Sequence, residues 1–373
     1  MKTRLAVFAV EDTAAQVCWS GLAEGTLLQA GGATATVPVD ERPGAAVLEG
    51  LPPATTLHLT LRRPGGRPRR VARFRTLAPP PGEQLCRFAT VNDLHIGERH
   101  FGVLRRIKEE PRPGRQPYAT RCAGSALSEA VAWGAQLIVA KGDLTYHGRP
   151  QQWEEVARML GSLPVPVEAM LGNHDVGRKA VDGRATLAAH GITLVEEARS
   201  RDLPGLRIVL ADTAVPRKSG GRVGDRQRRR LADLLAAAPG PAFLAMHHYP
   251  QRFQFPTAYP RGIPGDEARA LLETVIRSNP ATLVTAGHSH RNRRHSHGPL
   301  VVSEIGATMH YPGAWAGYAV HEGGIRQVVR RVAAPEAMEW TDRTRRALLG
   351  LWAPWAAGSR RQRCFSVTWP ERA

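Results

Sequence analysis

Five short stretches of this 373-residue chain carry side chains that can bind metal ions, and each follows a predicted β-strand. In chain order they read DLH, GD, GNHD, HH and GHSH. The side chains concerned are Asp93, His95, Asp143, Asn173, His174, His247, His248, His288 and His290. Because strand ends in a layered sheet meet at one edge, these groups are expected to lie close together. An isolated Asp or His after a strand is usually a turn or capping residue, so the joint pattern carries the prediction.

The types of ligand indicate which ions could bind. Carboxylate oxygen, amide oxygen and imidazole nitrogen, with no thiolate, suit manganese, iron or zinc. The groups are too many for one four- or six-coordinate ion, but they divide over two ions about 4 Å apart if one carboxylate bridges them. The sequence therefore predicts a two-metal centre.

The triplet His-Ser-His occurs twice in GHSHRNRRHSHG, and one copy is expected to belong to the site. His288 and His290 follow the apolar strand ATLVTA, and Gly287 is expected to let the backbone turn sharply before them. His295 and His297 follow RNRR and begin a predicted hairpin toward PLVVSEIG. They are interpreted as a solvated or rim pair that is not needed for metal binding.

The elements that position these groups follow from the patterns of apolar, Gly and Pro residues. Short strand-like runs predict an all-β sandwich over residues 1–77, and APPPGEQ at 78–84 is interpreted as a linker. Over 85–332, strands and helices alternate, which predicts a layered α/β domain. A basic extension, 333–373, contains tryptophans that are expected to dock on the rest of the protein.

Composition narrows the class of protein. The hydrophobic content of 42% supports a packed core. The formal net charge of +18 comes mainly from an arginine-rich composition. Nucleic acid is therefore an alternative partner rather than the favoured one. The four cysteines form no CxxC pair, which favours reduced thiols and a cytoplasmic location. We expect no secretory leader and no membrane partner, because acidic residues interrupt the N-terminal apolar run and no apolar run reaches membrane length.

The ordered motifs resemble those of the calcineurin-like metallophosphoesterase superfamily, whose signature is DxH, GD, GNH(D/E), H and GHxH. The resemblance covers residues 85 to about 325. It implies two sets of metal ligands, which are Asp93, His95 and His290 for one ion and Asn173, His247 and His288 for the other. Asp143 would bridge the ions, and the catalytic His174 would face the substrate. His248 would lie behind the ligands.

The resemblance also implies the reaction, hydrolysis of a phosphoester by a hydroxide that bridges two divalent or trivalent ions. DLH and GDL are similar to motifs of bacterial 3',5'-cyclic AMP phosphodiesterases, so phosphodiesters are the favoured substrates. A phosphomonoesterase of the purple acid phosphatase type is an alternative, because that branch shares an N-terminal β-sandwich, FRT and a tyrosine at the position of Tyr146. The purple acid phosphatases have no histidine at the position of His95, so the chain differs from that branch there. A metal-dependent nuclease is a further alternative.

Two further expectations concern the N-terminal sandwich and the rim of the site. LEGLPPATTLHLTL resembles a fibronectin type III module, although Leu57 replaces its usual tyrosine. Loops 98–121 and 249–262 are expected to surround the site, with aromatic side chains of 249–259 covering one ester group of a diester. Arg99, Arg178 and Arg291 are expected on loops facing solvent, which disfavours doubly charged monoesters.

Overall fold

The computed structural model describes residues 3–39, 42–102, 106–253 and 260–370. Its N-terminal part consists of seven strands, which are β1 (Arg4–Val10), β2 (Ala14–Ser20), β3 (Leu27–Ala30), β4 (Ala33–Thr36), β5 (Gly44–Glu49), β6 (Thr56–Arg62) and β7 (Arg69–Arg75). They form two antiparallel sheets with the orders β1-β2-β5 and β4-β3-β6-β7. Val17, Leu28, Leu59 and Phe74 form their shared core. This part is all-β as predicted, and its limits as a domain stay a prediction.

The remaining strands belong mainly to two larger sheets. In chain order they are β8 (Gln84–Val91), β9 (His100–Phe101), β10 (Ile107–Lys108), β11 (Ile138–Lys141), β12 (Val167–Met170), β13 (Thr193–Leu194), β14 (Ala198–Leu203), β15 (Leu206–Ala211), β16 (Ala242–Met246), β17 (Thr282–Ala286), β18 (Arg293–His297), β19 (Leu300–Glu304), β20 (Ala314–His321), β21 (Gly324–Arg331) and β22 (Phe365–Thr368). One sheet has the order β13-β12-β11-β8-β20-β21-β22, and the other β14-β15-β16-β17-β19-β18.

The helices lie along the chain between and after these strands. They are α1 (Tyr118–Ala132), α2 (Pro150–Gly161), α3 (Arg184–Ala189), α4 (Asp225–Ala236), α5 (Gly265–Ser278), α6 (Pro335–Thr344), α7 (Trp352–Ala357) and α8 (Arg360–Arg363). A 3₁₀ turn at Leu348–Gly350 precedes α7. Among the described residues, none of these helices is long and apolar enough to cross a bilayer.

The two larger sheets pack face to face. Phe88 of the first sheet meets Phe243 of the second edge-on, with ring centroids 4.8 Å apart, and stacks on Tyr318. Alternate residues of β16 point the other way, so Leu244 packs with α4 and α5 while Phe243 lies between the sheets. Strands covered on both faces are mainly apolar, which is why β11, β16 and β17 are largely apolar runs. The predicted layered α/β class, a β-sandwich flanked by helices, is confirmed.

The C-terminal extension is part of this body. Strand β22 pairs antiparallel with β21 and lengthens the first sheet. Helix α6 packs on α1, where the Trp340 ring stacks on Tyr118 at 3.7 Å. Arg363 donates hydrogen bonds to the Phe8 carbonyl of β1. The extension therefore touches both the N-terminal strands and the larger sheets.

Candidate metal centre

Strands of both large sheets end at one edge of the sandwich, and the residues that follow them lie there. Asp93 and His95 follow β8, Asp143 follows β11, and Asn173 and His174 follow β12, all from the first sheet. His247 directly follows β16 of the second sheet, and His288 and His290 follow β17. Parallel pairing of β8, β11 and β12, and of β16 with β17, brings these ends together. We call these eight residues the His/Asp cluster.

Distances within the cluster match those between ligands of a common ion. Asp93 Oδ1 lies 3.3 Å from His290 Nε2. Asp143 Oδ2 lies 3.3 Å from His95 Nε2, and Asp143 Oδ1 lies 3.5 Å from His247 Nε2. Ligands that each lie about 2.0–2.2 Å from a metal ion are roughly 3–3.5 Å apart. The spacing therefore fits metal coordination.

The second part of the cluster surrounds His247. Its Nε2 lies 3.4 Å from Asn173 Oδ1 and 3.2 Å from His288 Nδ1. Asp93, Asp143 and His247 also form a group whose potential ligand atoms lie within 4.8 Å of one another, as do Asp93, His95 and His290. All the sequence-predicted site residues thus converge on one place.

Several polar atoms here are buried without a hydrogen-bond partner in the described part of the chain. They include Asp93 Oδ1 and both ring nitrogens of His95. Asp93 is 0% exposed and Asp143 is 1% exposed. Because unpaired buried polar atoms are costly, such atoms facing one another fit the ligand positions of a positively charged ion. A pair of cations fits this donor set.

Residues 86–292 match the family model of the calcineurin-like phosphoesterases. The chain belongs to the calcineurin-like phosphoesterase family. The match begins in β8 and ends just after the last predicted metal motif, so it contains every strand end that contributes to the His/Asp cluster.

Relatives of the chain include proteins named as cyclic nucleotide phosphodiesterases. A probable cyclic nucleotide phosphodiesterase of Rhodococcus erythropolis is 29% identical over 195 residues, which are 49% of this chain and 61% of that protein. A cAMP/cGMP dual specificity phosphodiesterase of Mycobacterium tuberculosis is 28% identical over 177 residues, 46% of this chain and 54% of the relative. This chain thus spans less than two thirds of the length of either relative.

Among solved structures, a purple acid phosphatase from yellow lupin seeds resembles the chain with a TM-score of 0.49. The two are 14% identical, and the similarity covers 89% of this chain and 72% of the phosphatase. These values are too low to bear on the function of this family member.

Charges in the cluster suit a cation-binding calcineurin-like site. Burial opposes ionisation of Asp93 and Asp143, but neighbouring histidines hold the pKa of each carboxyl below its ordinary value. Burial and the nearby His247 lower the pKa of His288 to about 3, which leaves that imidazole neutral. For His247, burial is outweighed by Asp143, which raises its pKa to about 9. A cation at His247 Nε2 would therefore displace a proton.

Backbone carbonyls fix the orientation of three imidazole rings. His247 Nδ1 donates to the Lys141 carbonyl at 2.8 Å, and His174 Nδ1 donates to the Tyr146 carbonyl at 2.9 Å. His288 Nε2 donates to the Arg261 carbonyl at 3.0 Å. Since a carbonyl only accepts, the other nitrogen of each neutral ring is left with its lone pair free.

His248, which the sequence places behind the ligands, lies beside them. Its Nδ1 is 2.8 Å from Thr213 Oγ1, and its Nε2 is buried without a hydrogen-bond partner among the described residues. Its potential ligand atom is within 4.8 Å of those of His247 and His288. Its assignment as a residue behind the ligands stays a prediction.

Glu98 and His310 are parts of the site that sequence reasoning missed. Glu98 Oε2 lies 3.4 Å from His95 Nδ1, and Glu98 Oε1 lies 3.2 Å from His310 Nε2. His310 Nδ1 in turn lies 3.1 Å from His290 Nδ1. Burial would raise the pKa of Glu98, but His310 and His95 lower it to about 2. An ionised Glu98 therefore supports two predicted ligands of one ion from behind.

The backbone is strained where these ligands sit. Asp93, His95, Asp143, His288 and His290 all have positive φ, between 47° and 65°. Such conformations cost non-glycine residues roughly 1–3 kcal/mol each and concentrate at functional sites. The expected role of Gly287 was wrong, because the histidines after it make the turn. Gly287 instead avoids a clash, since a Cβ there would lie 3.0 Å from Asn92 Cβ.

The histidines of the second His-Ser-His triplet lie apart from the cluster. His295 and His297 are in β18, which pairs antiparallel with β19 in the hairpin predicted from the sequence. Both are half-buried, and burial lowers the pKa of His295 to about 4. Their separation from the cluster agrees with their interpretation as residues that are not needed for metal.

The expectation that Arg291 faces solvent was wrong. Arg291 is buried, its Nε donates to Glu304 Oε2 at 2.9 Å, and its guanidinium lies over the Trp355 ring. Its charge is thus already neutralised by Glu304. Arg99 and Arg178 are exposed as expected.

Asp175, the residue after His174, binds the backbone of two loops. Its carboxylate accepts hydrogen bonds from the backbone amides of Leu144, Thr145 and Gly172. These bonds hold the loops after β11 and β12 together, and Asp143 lies in the first of these loops.

Among the described residues, the aromatic side chains that line the cleft lie outside 249–259, the segment expected to cover the ester group. Tyr249 is buried and donates to the Pro260 carbonyl, and Phe255 and Tyr259 lie outside the described residues. The described residues that line the cleft of about 310 Å³ are Phe101, Trp352 and Trp355, together with six residues of the cluster, two serines and Pro260. The C-terminal extension therefore completes the site.

Glu98→Gln should lower metal affinity about 10–100-fold, because an amide cannot supply the negative charge that holds His95 and His310 in place. Competition against a chelator, with bound metal counted by mass spectrometry, measures the change. Glu110→Gln, on an exposed residue of the same segment, is the matched control. Wild-type affinity in Glu98→Gln would show that the carboxylate does not position the ligands.

Proposed function

We propose that this chain is a dinuclear-metal phosphodiesterase whose substrates include 3',5'-cyclic nucleotides. The observation that carries the proposal is the convergence of predicted ligands from five strand ends onto two buried carboxylates. Family membership supports phosphoester hydrolysis, and the relatives named as cyclic nucleotide phosphodiesterases support the substrate class.

We assign Asp93, His95 and His290 to one ion, and Asn173, His247 and His288 to the other. Asp143 is assigned as the bridge, because its two oxygens lie toward different sets: Oδ2 toward His95 and Oδ1 toward His247. Oxygen and imidazole ligands suit manganese, iron or zinc. When bound, the two ions would activate water near neutral pH and offset negative charge on the phosphoryl oxygens.

His174 is the proposed proton donor to the leaving oxygen. Its ring is half-buried, and its centroid lies 4.4 Å from that of His95. The bond from Nδ1 to the Tyr146 carbonyl leaves Nε2 for the substrate. An alkoxide leaving group, such as the ribose oxygen of a cyclic nucleotide, needs this proton far more than a nitrophenolate does.

Placement in the cytoplasm is part of the proposal. Cys18, Cys86, Cys122 and Cys364 are all buried and free. Burial raises the pKa of Cys18 to about 12 and that of Cys86 to about 11, so these thiols stay protonated and inert. Unpaired thiols of this kind support a reducing compartment.

The preference for diesters rests on the charge of the cleft wall. Among the described residues that line the cleft there is no Lys or Arg, and Trp352 and Trp355 make one wall apolar. A monoester carries close to two negative charges and needs more compensation than the metal pair supplies. A diester carries one charge, and its second ester group can lie against the indole rings.

His174→Ala should keep both metal ions but lower turnover on a cyclic nucleotide about 10²–10⁴-fold, because general acid catalysis is lost. Turnover on a bis-nitrophenyl diester should fall much less. Steady-state rates with both substrates measure the difference between the two losses, and mass spectrometry measures the metal content. His58→Ala, an exposed histidine of β6, is the control. Full activity of His174→Ala on the cyclic nucleotide would remove this assignment.

A substrate screen on manganese-loaded protein should give a kcat/KM at least tenfold higher for diesters than for monoesters with the same aryl group. Nitrophenyl phosphate, bis-nitrophenyl phosphate and cyclic nucleotides at matched metal loading make the comparison direct. A tenfold preference for monoesters would instead favour the purple acid phosphatase type of activity. Oligonucleotide binding that weakens steeply with salt would favour a nuclease.

Trp355→Ala should raise KM for a cyclic nucleotide about fivefold or more, because base–aromatic stacking contributes about 1–3 kcal/mol. KM for a small methyl aryl diester should change less than twofold. Phe253→Ala tests the competing assignment, since Phe253 lies in the loop first expected to cover the ester group. If Phe253→Ala raises KM for the cyclic nucleotide more than Trp355→Ala does, the loop that contains Phe253 covers the ester group instead.

A further inference from the structure

A turn in the C-terminal extension holds apolar side chains in solvent. Of the residues in this leucine turn (348–351), Leu348 is 47% exposed, Leu349 is 101% exposed and Leu351 is 69% exposed. Leu348 and Leu349 also have positive φ, 52° and 56°. The backbone is hydrogen-bonded, with the Gly350 amide donating to the Ala347 carbonyl at 3.0 Å. Both the backbone strain and the exposure of apolar side chains are therefore energetically unfavourable for the folded chain.

The surface around the leucine turn is basic. A groove of about 760 Å³ beside it is lined by Arg106, Arg343 and Arg346 together with Ile107 and the leucines. Among the described residues that line this groove there is no acidic side chain. Apolar tips flanked by unopposed arginines are typical of segments that bind the interface of a lipid bilayer.

We infer that the leucine turn docks on the surface of an anionic lipid bilayer. The leucines would enter the boundary between headgroups and acyl chains, and the arginines would lie at the level of the lipid phosphates. Trp352 and Trp355 directly follow, and tryptophan is the side chain that prefers this interface. Sequence reasoning expected no membrane partner, because it considered only spans that cross the bilayer.

The shape and charge of the turn favour a bilayer over another protein. Leu349 is exposed on all sides and so forms a tip, which suits a deformable surface rather than a flat, rigid face. A symmetric dimer through the same patch would bring Arg106, Arg343 and Arg346 of two copies face to face. Such repulsion is absent when the partner is anionic lipid.

Docking here would place the mouth of the cleft at the membrane. Trp352 and Trp355 line the cleft, and the Trp352 ring contacts Phe101 with centroids 5.0 Å apart. The Trp352 indole nitrogen donates to the Tyr311 carbonyl, which fixes the ring to the body of the protein. The inference concerns binding and does not depend on the proposed hydrolysis.

The test is sedimentation of the full chain with vesicles of phosphatidylcholine alone or mixed equally with phosphatidylglycerol. We expect binding to the anionic vesicles that weakens with salt. Leu349→Ser with Leu351→Ser should lower the partition coefficient at least tenfold. Val39→Ser with Val71→Ser, two exposed valines of the N-terminal sheets, should change it less than twofold.

Arginine variants separate the charge contribution from the apolar one. Arg106→Gln with Arg346→Gln should weaken binding to anionic vesicles severalfold and reduce its salt dependence. Arg229→Gln with Arg230→Gln, both exposed on α4, is the matched control. If both double variants lose the same vesicle affinity, the net charge of the chain, rather than this surface, attracts the lipid.

Two further outcomes would overturn the inference. One is vesicle binding by the leucine variant that equals binding by the wild-type chain. The other is absence of binding to the anionic vesicles; if light scattering then shows a dimer that the leucine variant dissociates, the turn is an interface between two copies. Unchanged melting temperature and unchanged turnover of a small soluble diester show that the variant is folded.

Discussion

The burial of two carboxylates at one edge of the sandwich is the constraint on which the site depends. Asp93 and Asp143 lie among strand ends with almost no exposure, where isolated negative charges are costly. Backbone amides stabilise part of that negative charge, since the His288 amide donates to Asp93 and the His174 amide donates to Asp143. The rest falls to the histidines and, in our proposal, to two cations. The strained backbone of the ligands is the cost of aiming them inward.

Lys141 shows how the two sheets are held in register at this edge. It is buried at the end of β11, and its ammonium donates to Thr285 Oγ1 and to the Ala286 carbonyl of β17 in the opposite sheet. Its own carbonyl accepts the hydrogen bond from His247 Nδ1. Burial lowers the pKa of this lysine to about 7. One residue thus joins the sheets and orients a ligand, so small shifts between the sheets would disturb the cluster directly.

Local pattern was enough to predict the strand ends and the motif residues, because each motif directly follows an apolar run. It was not enough for contacts between distant segments. Glu98 carries a weak signal, three residues after His95, whereas His310 has none because no motif surrounds it. Arg291 was expected in solvent because Glu304 lies in another strand. Trp352 and Trp355 reach the cleft only because β22 and α6 fix the extension to the first sheet and to α1.

The His/Asp cluster and the apolar wall of the cleft come from different parts of the chain. The family match ends at residue 292 and contains the whole His/Asp cluster, while His310 and Thr308, which contact the cluster, lie beyond it. The apolar wall lies in the extension, which Arg363 and Cys364 tie to strand β1. Because β1 also pairs within the N-terminal sheets, those sheets hold the wall in place without contributing a residue to the His/Asp cluster. We therefore interpret the N-terminal strands as support for substrate selection, which explains why they accompany a site whose ligands they do not supply.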